Sequence, residues 1–89
     1  MLRVTTVDEQ AATVTLKVEG RISSDGSDNL QRECHSILEE GKCVQLEFSE
    51  VSFIDRRGVE MLRALRRQPV YVIYASPLIS ELLEEADLP

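Results

Sequence analysis

The chain has 89 residues and a formal net charge of −6, from ten basic and sixteen acidic residues. Hydrophobic residues make up 43% and charged residues 29%, which allows one core and is too apolar for a disordered chain. The length allows a single domain over residues 1–89, no apolar run reaches the roughly 18 residues a membrane span needs, and the acidic balance disfavours nucleic acid and anionic membrane.

Residues 2–7 read as a first strand, rich in β-branched side chains. A polar connection, 8–12, leads to a second strand at 13–19, where Val14, Leu16 and Val18 share one face and Thr15, Lys17 and Glu19 the other. Gly20 is read as its end. The cluster 23–29 is full of helix N-cap types, and the following helix runs to about residue 40. Leu30, Cys34, Ile37 and Leu38 form its apolar stripe, and Gly41 suits the stop position after it. A third strand, 43–48, alternates Val44, Leu46 and Phe48 against Gln45 and Glu47. Ser49 to Asp55 is read as a loop and about Arg57 to Arg67 as a second helix, with Asp55 as its cap. A strand from Val70 to Ala75 would place Tyr71 and Tyr74 on opposite faces, one toward the core. Ser76 and Pro77 open a third helix, with Leu78, Ile79, Leu82 and Leu83 as its apolar stripe.

The order is β-β-α-β-α-β-α, an α/β chain. Strands separated by helices pair in parallel through right-handed crossovers, giving a mixed, mostly parallel four-stranded sheet. Sheets covered on both faces have continuous apolar runs, whereas two strands here have a polar second face. The helices therefore belong on one face. No glycine-rich phosphate loop follows any strand, which argues against a nucleotide cofactor. The start of the chain lacks a signal-peptide pattern, so the expectation is a soluble cytoplasmic protein with Cys34 and Cys43 reduced and buried. Two cysteines and the single His35, read as a surface or boundary residue of the first helix, are too few ligands for a zinc site. His35 also has no base-and-nucleophile context, so no catalytic triad and no enzyme is expected.

Residues 46–62, LEFSEVSFIDRRGVEML, resemble the signature of STAS domains, found in bacterial anti-sigma factor antagonists and in sulfate transporter tails. The family pattern is a strand, a D-L-S-x-V-x-F-I-D-S-S-G loop and a helix. Val51, Phe53, Ile54, Asp55 and Gly58 match it. Residues 16–22, LKVEGRI, resemble the family's L-x-G-x-L-D strand end, and residues 72–88, VIYASPLISELLEEADL, its L-V-x-x-S-P-x-V-x-x-L-L-E-x-T-G-L stretch. The family usually continues with a further strand and helix, so the resemblance implies a short or truncated member.

The resemblance implies a non-catalytic protein-binding module. In sigma-factor pathways a kinase-type anti-sigma factor phosphorylates the second Ser of D-S-S-G, and the dephosphorylated domain binds that kinase. Here Arg57 stands at the phosphorylated Ser and Arg56 at its neighbour, so a switch at that position is expected to be lost. Ser23 replaces the family's upstream Asp.

Half of the ten basic residues lie between positions 56 and 67. At 100° per residue, Arg56, Glu60, Arg63 and Arg67 share one helix face. One reading is a solvated face laced by Arg56–Glu60 and Glu60–Arg63 pairs. The other is a docking surface for an acidic partner or a phosphorylated group. The expected contact surface is Asp55, Arg56, Arg57 and Gly58, the helix face with Glu60, Arg63 and Arg67, and the Ser23–Asp28 loop with Ser24 and Asp25. The expected partner is a protein, either a kinase-type anti-sigma factor or a transporter subunit. In the second case the chain is a STAS-like accessory subunit of a membrane lipid-transport complex. No nucleic acid, membrane insertion or cofactor is expected. The uncovered sheet face and an unpaired edge allow a weak homodimer.

Overall fold

The computed structural model describes residues 1–85. The element order is β1 (Leu2–Glu9), β2 (Thr13–Ile22), α1 (Ser24–Glu39), β3 (Cys43–Ile54), α2 (Arg56–Leu65), β4 (Val70–Ile73) and α3 (Pro77–Glu85). The four strands lie in the order β1-β2-β3-β4. β1 pairs antiparallel with β2, while β2 with β3 and β3 with β4 are parallel, so the mixed, mostly parallel sheet is observed. The end of the third matching stretch, residues 86–88, lies outside the described residues.

Alternation places the core. Val14, Leu16 and Val18 of β2 and Val44, Leu46 and Phe48 of β3 are buried on one face, beneath Leu30 and Cys34 of α1, Met61, Leu62 and Leu65 of α2, and Ile79 and Leu83 of α3. Full burial of each large aliphatic side chain contributes about 1.5–3 kcal/mol, which is why all three helices gather on this face. The opposite face carries Lys17, Glu19, Gln45 and Glu47, all half-buried. Thr15 is buried on it and donates its hydroxyl to Gln45 Oε1 at 3.1 Å across the strands. Cys34 is fully buried, and burial, then the nearby Glu33 carboxylate, pushes its thiol up to about 12. Cys43 is only half-buried, because it opens β3 at the sheet's margin. His35 is exposed on α1.

Several boundaries differ from the sequence reading. Gly20 does not end β2: it takes φ +99, and the strand continues to Ile22. Met1 packs so closely there that a Cβ on Gly20 would run into the Met1 carbonyl oxygen. The register of β2 on β3 shifts between Lys17 and Glu19 and again between Gly20 and Arg21. These bulges let β3 run on to Ile54 through the stretch expected to be a loop, with burial changing from every second residue to Val51 and then Ile54. α1 starts at Ser24, so the Ser23–Asp28 stretch is mostly helix rather than loop. Its first turns are held by the Ser27 hydroxyl donating to the Ser23 carbonyl at 2.7 Å and by Leu2 against Gly26.

α2 starts at Arg56 and ends at Leu65, which leaves Arg67 beyond it. β4 stops at Ile73 because Tyr74 turns to φ 58. Neither tyrosine faces the core: Tyr71 is 56% exposed and Tyr74 74%. Leu78 is exposed too, leaving Ile79 and Leu83 as the buried residues of α3.

Candidate functional site

Parallel pairing of β2, β3 and β4 brings their C-terminal ends to one edge of the sheet, where all three helices begin. Ligand sites on open α/β sheets form at such an edge. Ile22 and Ile54 are register partners, and the Asp55 amide donates to the Ile22 carbonyl at 3.0 Å. Ser23 and Asp55 therefore leave the sheet on neighbouring strands, which brings the two expected contact segments together.

Asp55 caps α2. Its Oδ1 accepts from the Gly58 amide at 2.8 Å, the bond a first-turn donor needs. Gly58 is buried, and a Cβ there would lie 2.8 Å from the Cγ2 atoms of both Ile22 and Ile54. Glycine is what lets the helix start lie this close to the sheet. Asp55 and Gly58 thus set the path of the chain, and the side chains presented outward are those around them. Arg56, Arg57, Glu60, Arg63 and Arg67 are exposed, as are Ser24 and Asp25, while Ser23 is half-buried.

Arg56 Nε lies 3.7 Å from Glu60 Oε1, with the arginine side chain 94% exposed. An exposed pair of this kind is worth at most a few tenths of a kcal/mol, about 0.3–0.5. The two helices treat their first turns in opposite ways. α1 has Asp25 in its first turn, as the positive N-terminal end of a helix dipole favours. The first turn of α2 has no acidic residue and begins with Arg56 and Arg57.

The bulged register also creates a contact that the linear sequence hides. Arg21 and Phe53 are register partners on the uncovered face, and the guanidinium sits 5.1 Å from the ring centroid. Phe53 is 41% exposed. Beside it, the Ser52 hydroxyl donates to the Gly20 carbonyl at 3.2 Å. Phe53 falls in the matched motif, but its partner is thirty-two positions away and outside the apolar pattern. At the third helix start, Ser76 Oγ accepts from the Ile79 amide at 3.3 Å, as its cap position requires.

Among the described residues, no group of three or more His, Cys, Asp or Glu side chains is arranged to hold a metal ion. Nor, among the described residues, is any helix long and apolar enough to cross a membrane. What the site offers chemically is an exposed, arginine-rich surface on a rigid support.

The family model described as Mlab, STAS domain matches residues 5–88. No curated protein matches the chain in sequence. Among solved structures, an anti-sigma factor antagonist from Mycobacterium paratuberculosis is similar with a TM-score of 0.83 at 13% identity, over 98% of this chain and 79% of that one. The anti-sigma factor antagonist SpoIIAA in its unphosphorylated form is similar with a TM-score of 0.74 at 14% identity, over 92% and 82% of the two chains. The Bacillus cell fate determinant SpoIIAA in its phosphorylated form gives 0.72 at 16% identity, over 99% and 85%. The fold is that of the antagonists, and the chain belongs to the STAS domain family.

Proposed function

We propose that this STAS-family chain is a non-catalytic protein-binding module of the anti-sigma factor antagonist type, and that it works constitutively with respect to position 57. The observation that carries the reading is the structure of the α2 start. Asp55 and Gly58 keep the capped, tightly packed helix entry, while the two positions between them project exposed arginines in place of hydroxyls. A phosphoryl group adds about −1.5 to −2 charge to a contact surface when a kinase transfers it to a hydroxyl. Neither Arg56 nor Arg57 has a hydroxyl to accept it. The contact surface runs over Arg56 and Arg57, the outer face of α2 with Glu60 and Arg63, Arg67 just beyond the helix, and the neighbouring Ser23, Ser24 and Asp25.

The test is affinity capture from the source cells with this chain as bait, with and without ATP or ADP, beside an Arg56→Ala/Arg57→Ala bait. Capture of a kinase-type anti-sigma factor that the double variant loses supports the reading. Incubation of the captured pair with ATP should leave the mass of the bait unchanged; phosphate on the Asp55–Gly58 segment overturns the constitutive part.

The missing hydroxyls also favour a second reading, a permanently assembled accessory subunit of a membrane lipid-transport complex. Nucleotide-independent capture of transporter subunits would select it over the first. In both readings the protein acts in the cytoplasm through a protein partner and uses no cofactor.

A further inference from the structure

Residues 56–67 hold five arginines against one acidic residue, Glu60, while the rest of the chain holds five basic residues against fifteen acidic ones. α2 and the turn after it are therefore a basic island on a strongly acidic molecule. All five of its cations are arginine and none is lysine. Solvation alone would be served equally by lysine, whose compact ammonium is the more strongly hydrated. Arginine differs in offering a planar fork that grips a carboxylate through two hydrogen bonds. Arg63, Arg66 and Arg67 lie at or beyond the C-terminal end of α2, where the helix dipole welcomes positive charge. Arg56 and Arg57 occupy the first turn, where it does not. Local helix physics accounts for the first group and leaves the second unexplained.

We propose that the partner presents a short acidic segment to this surface, its carboxylates pairing with Arg56 and Arg57, then with Arg63 on α2 and Arg67 just beyond it. This rests on the protein-binding reading above and names the chemistry of the partner. The size of the island selects a protein segment over an extended polyanion. α2 has ten residues, about 15 Å of helix. A nucleic acid or an anionic bilayer would lie across the acidic flanks as well and meet repulsion there. A single acidic helix or strand of a partner fits within the island. Placed against the first turn, its carboxylates add to the negative charge that the Asp55 cap already supplies at that end.

The probe is a fluorescein-labelled helical peptide of Glu-Glu-Ala-Leu repeats, followed by anisotropy with the full chain. Binding is expected at about 0.01 M salt, where the Debye length is about 30 Å, and should fade near 1 M, where it is about 3 Å. Arg56→Ala/Arg57→Ala should weaken binding about tenfold or more, and Arg56→Lys/Arg57→Lys by less, since charge survives and the fork is lost. The alanine pair leaves the Asp55 cap and Gly58 in place, and a melting temperature no lower than that of the parent confirms that it folds.

Failure of the peptide to bind at low salt overturns the proposal, as does equal binding of a Gln-Gln-Ala-Leu control. Tighter binding of oligothymidylate or of phosphatidylserine vesicles overturns it in favour of a phosphate surface. Binding that the alanine pair leaves unchanged places the acidic contact elsewhere and overturns it too. If the chain captures a cellular partner through Arg56 and Arg57 and that complex ignores both salt and Arg63→Glu/Arg67→Glu, the protein-binding reading stands and the acidic-segment proposal falls.

Discussion

Gly58→Ala tests whether the α2 start is fixed by contact with the sheet or by helix propensity, because the two predict opposite signs. Propensity alone favours alanine by about 1 kcal/mol in a helix. The structure opposes it: the new Cβ would lie 2.8 Å from Ile22 Cγ2, 2.8 Å from Ile54 Cγ2 and 3.0 Å from the Ile22 carbonyl oxygen. Ile22 is fully buried and Ile54 only 4% exposed. Their β-branched side chains are stiff at χ1 and cannot swing aside cheaply. The third contact is backbone that also holds the Asp55 amide at 3.0 Å. Overpacking of this kind costs about 1–3 kcal/mol. The net expectation is a loss of up to about 2 kcal/mol, or a fall in Tm of up to about 16 °C for a domain of this size. Circular dichroism melts of both proteins read it directly. In an Ile54→Ala background the cost of Gly58→Ala should shrink, with a coupling of about 0.5 kcal/mol or more. A Tm equal to or above that of the parent would refute the packing argument and hand the position to propensity.

Removing the α2 cap with Asp55→Ala should cost about 0.5–2 kcal/mol in urea unfolding, while Asp55→Asn, an equally good cap, should stay close to the parent; similar losses in both would show that the bond to the Gly58 amide is not what matters. Cys34 should resist iodoacetamide in the native protein and react once urea unfolds it, as peptide mass spectrometry would reveal. Because its folded pKa of about 12 exceeds the ordinary 9.0, the stability from its neutral thiol is present below pH 9 and lost between pH 9 and about 12, and Cys34→Ala should flatten that loss. Arg57→Glu should raise stability by about 0.3–1 kcal/mol at low salt, fading as salt is added, because it reverses a charge at the positive end of the α2 dipole; a lower Tm would show that the arginine is locally favourable.

The fold was legible wherever a strand kept strict alternation. Val14, Leu16 and Val18, then Val44, Leu46 and Phe48, named the covered face, and Lys17, Glu19, Gln45 and Glu47 the open one. Legibility failed at the bulges. From Phe48 the buried residues of β3 step to Val51 and Ile54, a period that belongs to neither strand nor helix. That spacing reads as loop, and only the pairing with β2 across Gly20 makes it a strand. The early start of α1 was hidden for a related reason: a run of serine, aspartate and glycine has weak helix propensity, and contact between Leu2 and Gly26 overrides it. Tyr74 was misplaced because nothing in the sequence signals a left-handed aromatic residue. At the site, the arginines of α2 and the Asp55 cap are local in sequence and could be read directly. The contact of Arg21 with Phe53 depends on a bulged register between distant segments, so it emerges only in three dimensions.

The first turns of α1 and α2 make the strongest case that this surface serves something outside the chain. They leave the same edge of one sheet on adjacent strands, and both follow a buried isoleucine, Ile22 or Ile54. α1 then takes Asp25, in accord with its dipole, and α2 takes Arg56 and Arg57 against it. The fold does not require this choice. The Asp55 cap and the fit of Gly58 already fix where α2 begins, and a neutral or acidic residue at either arginine position would suit the isolated helix better. Among the described residues, the ion pair drawn from these two arginines is the exposed contact of Arg56 with Glu60, which contributes too little to offset two misplaced charges. A local rule broken twice beside an otherwise consistent framework is what the proposed contact at Arg56 and Arg57 would explain. An acidic partner removes the conflict: its carboxylates satisfy both guanidinium groups and at the same time place negative charge at the helix end. The complex then adds partner carboxylates to the one that Asp55 already holds at the start of α2 in the free chain.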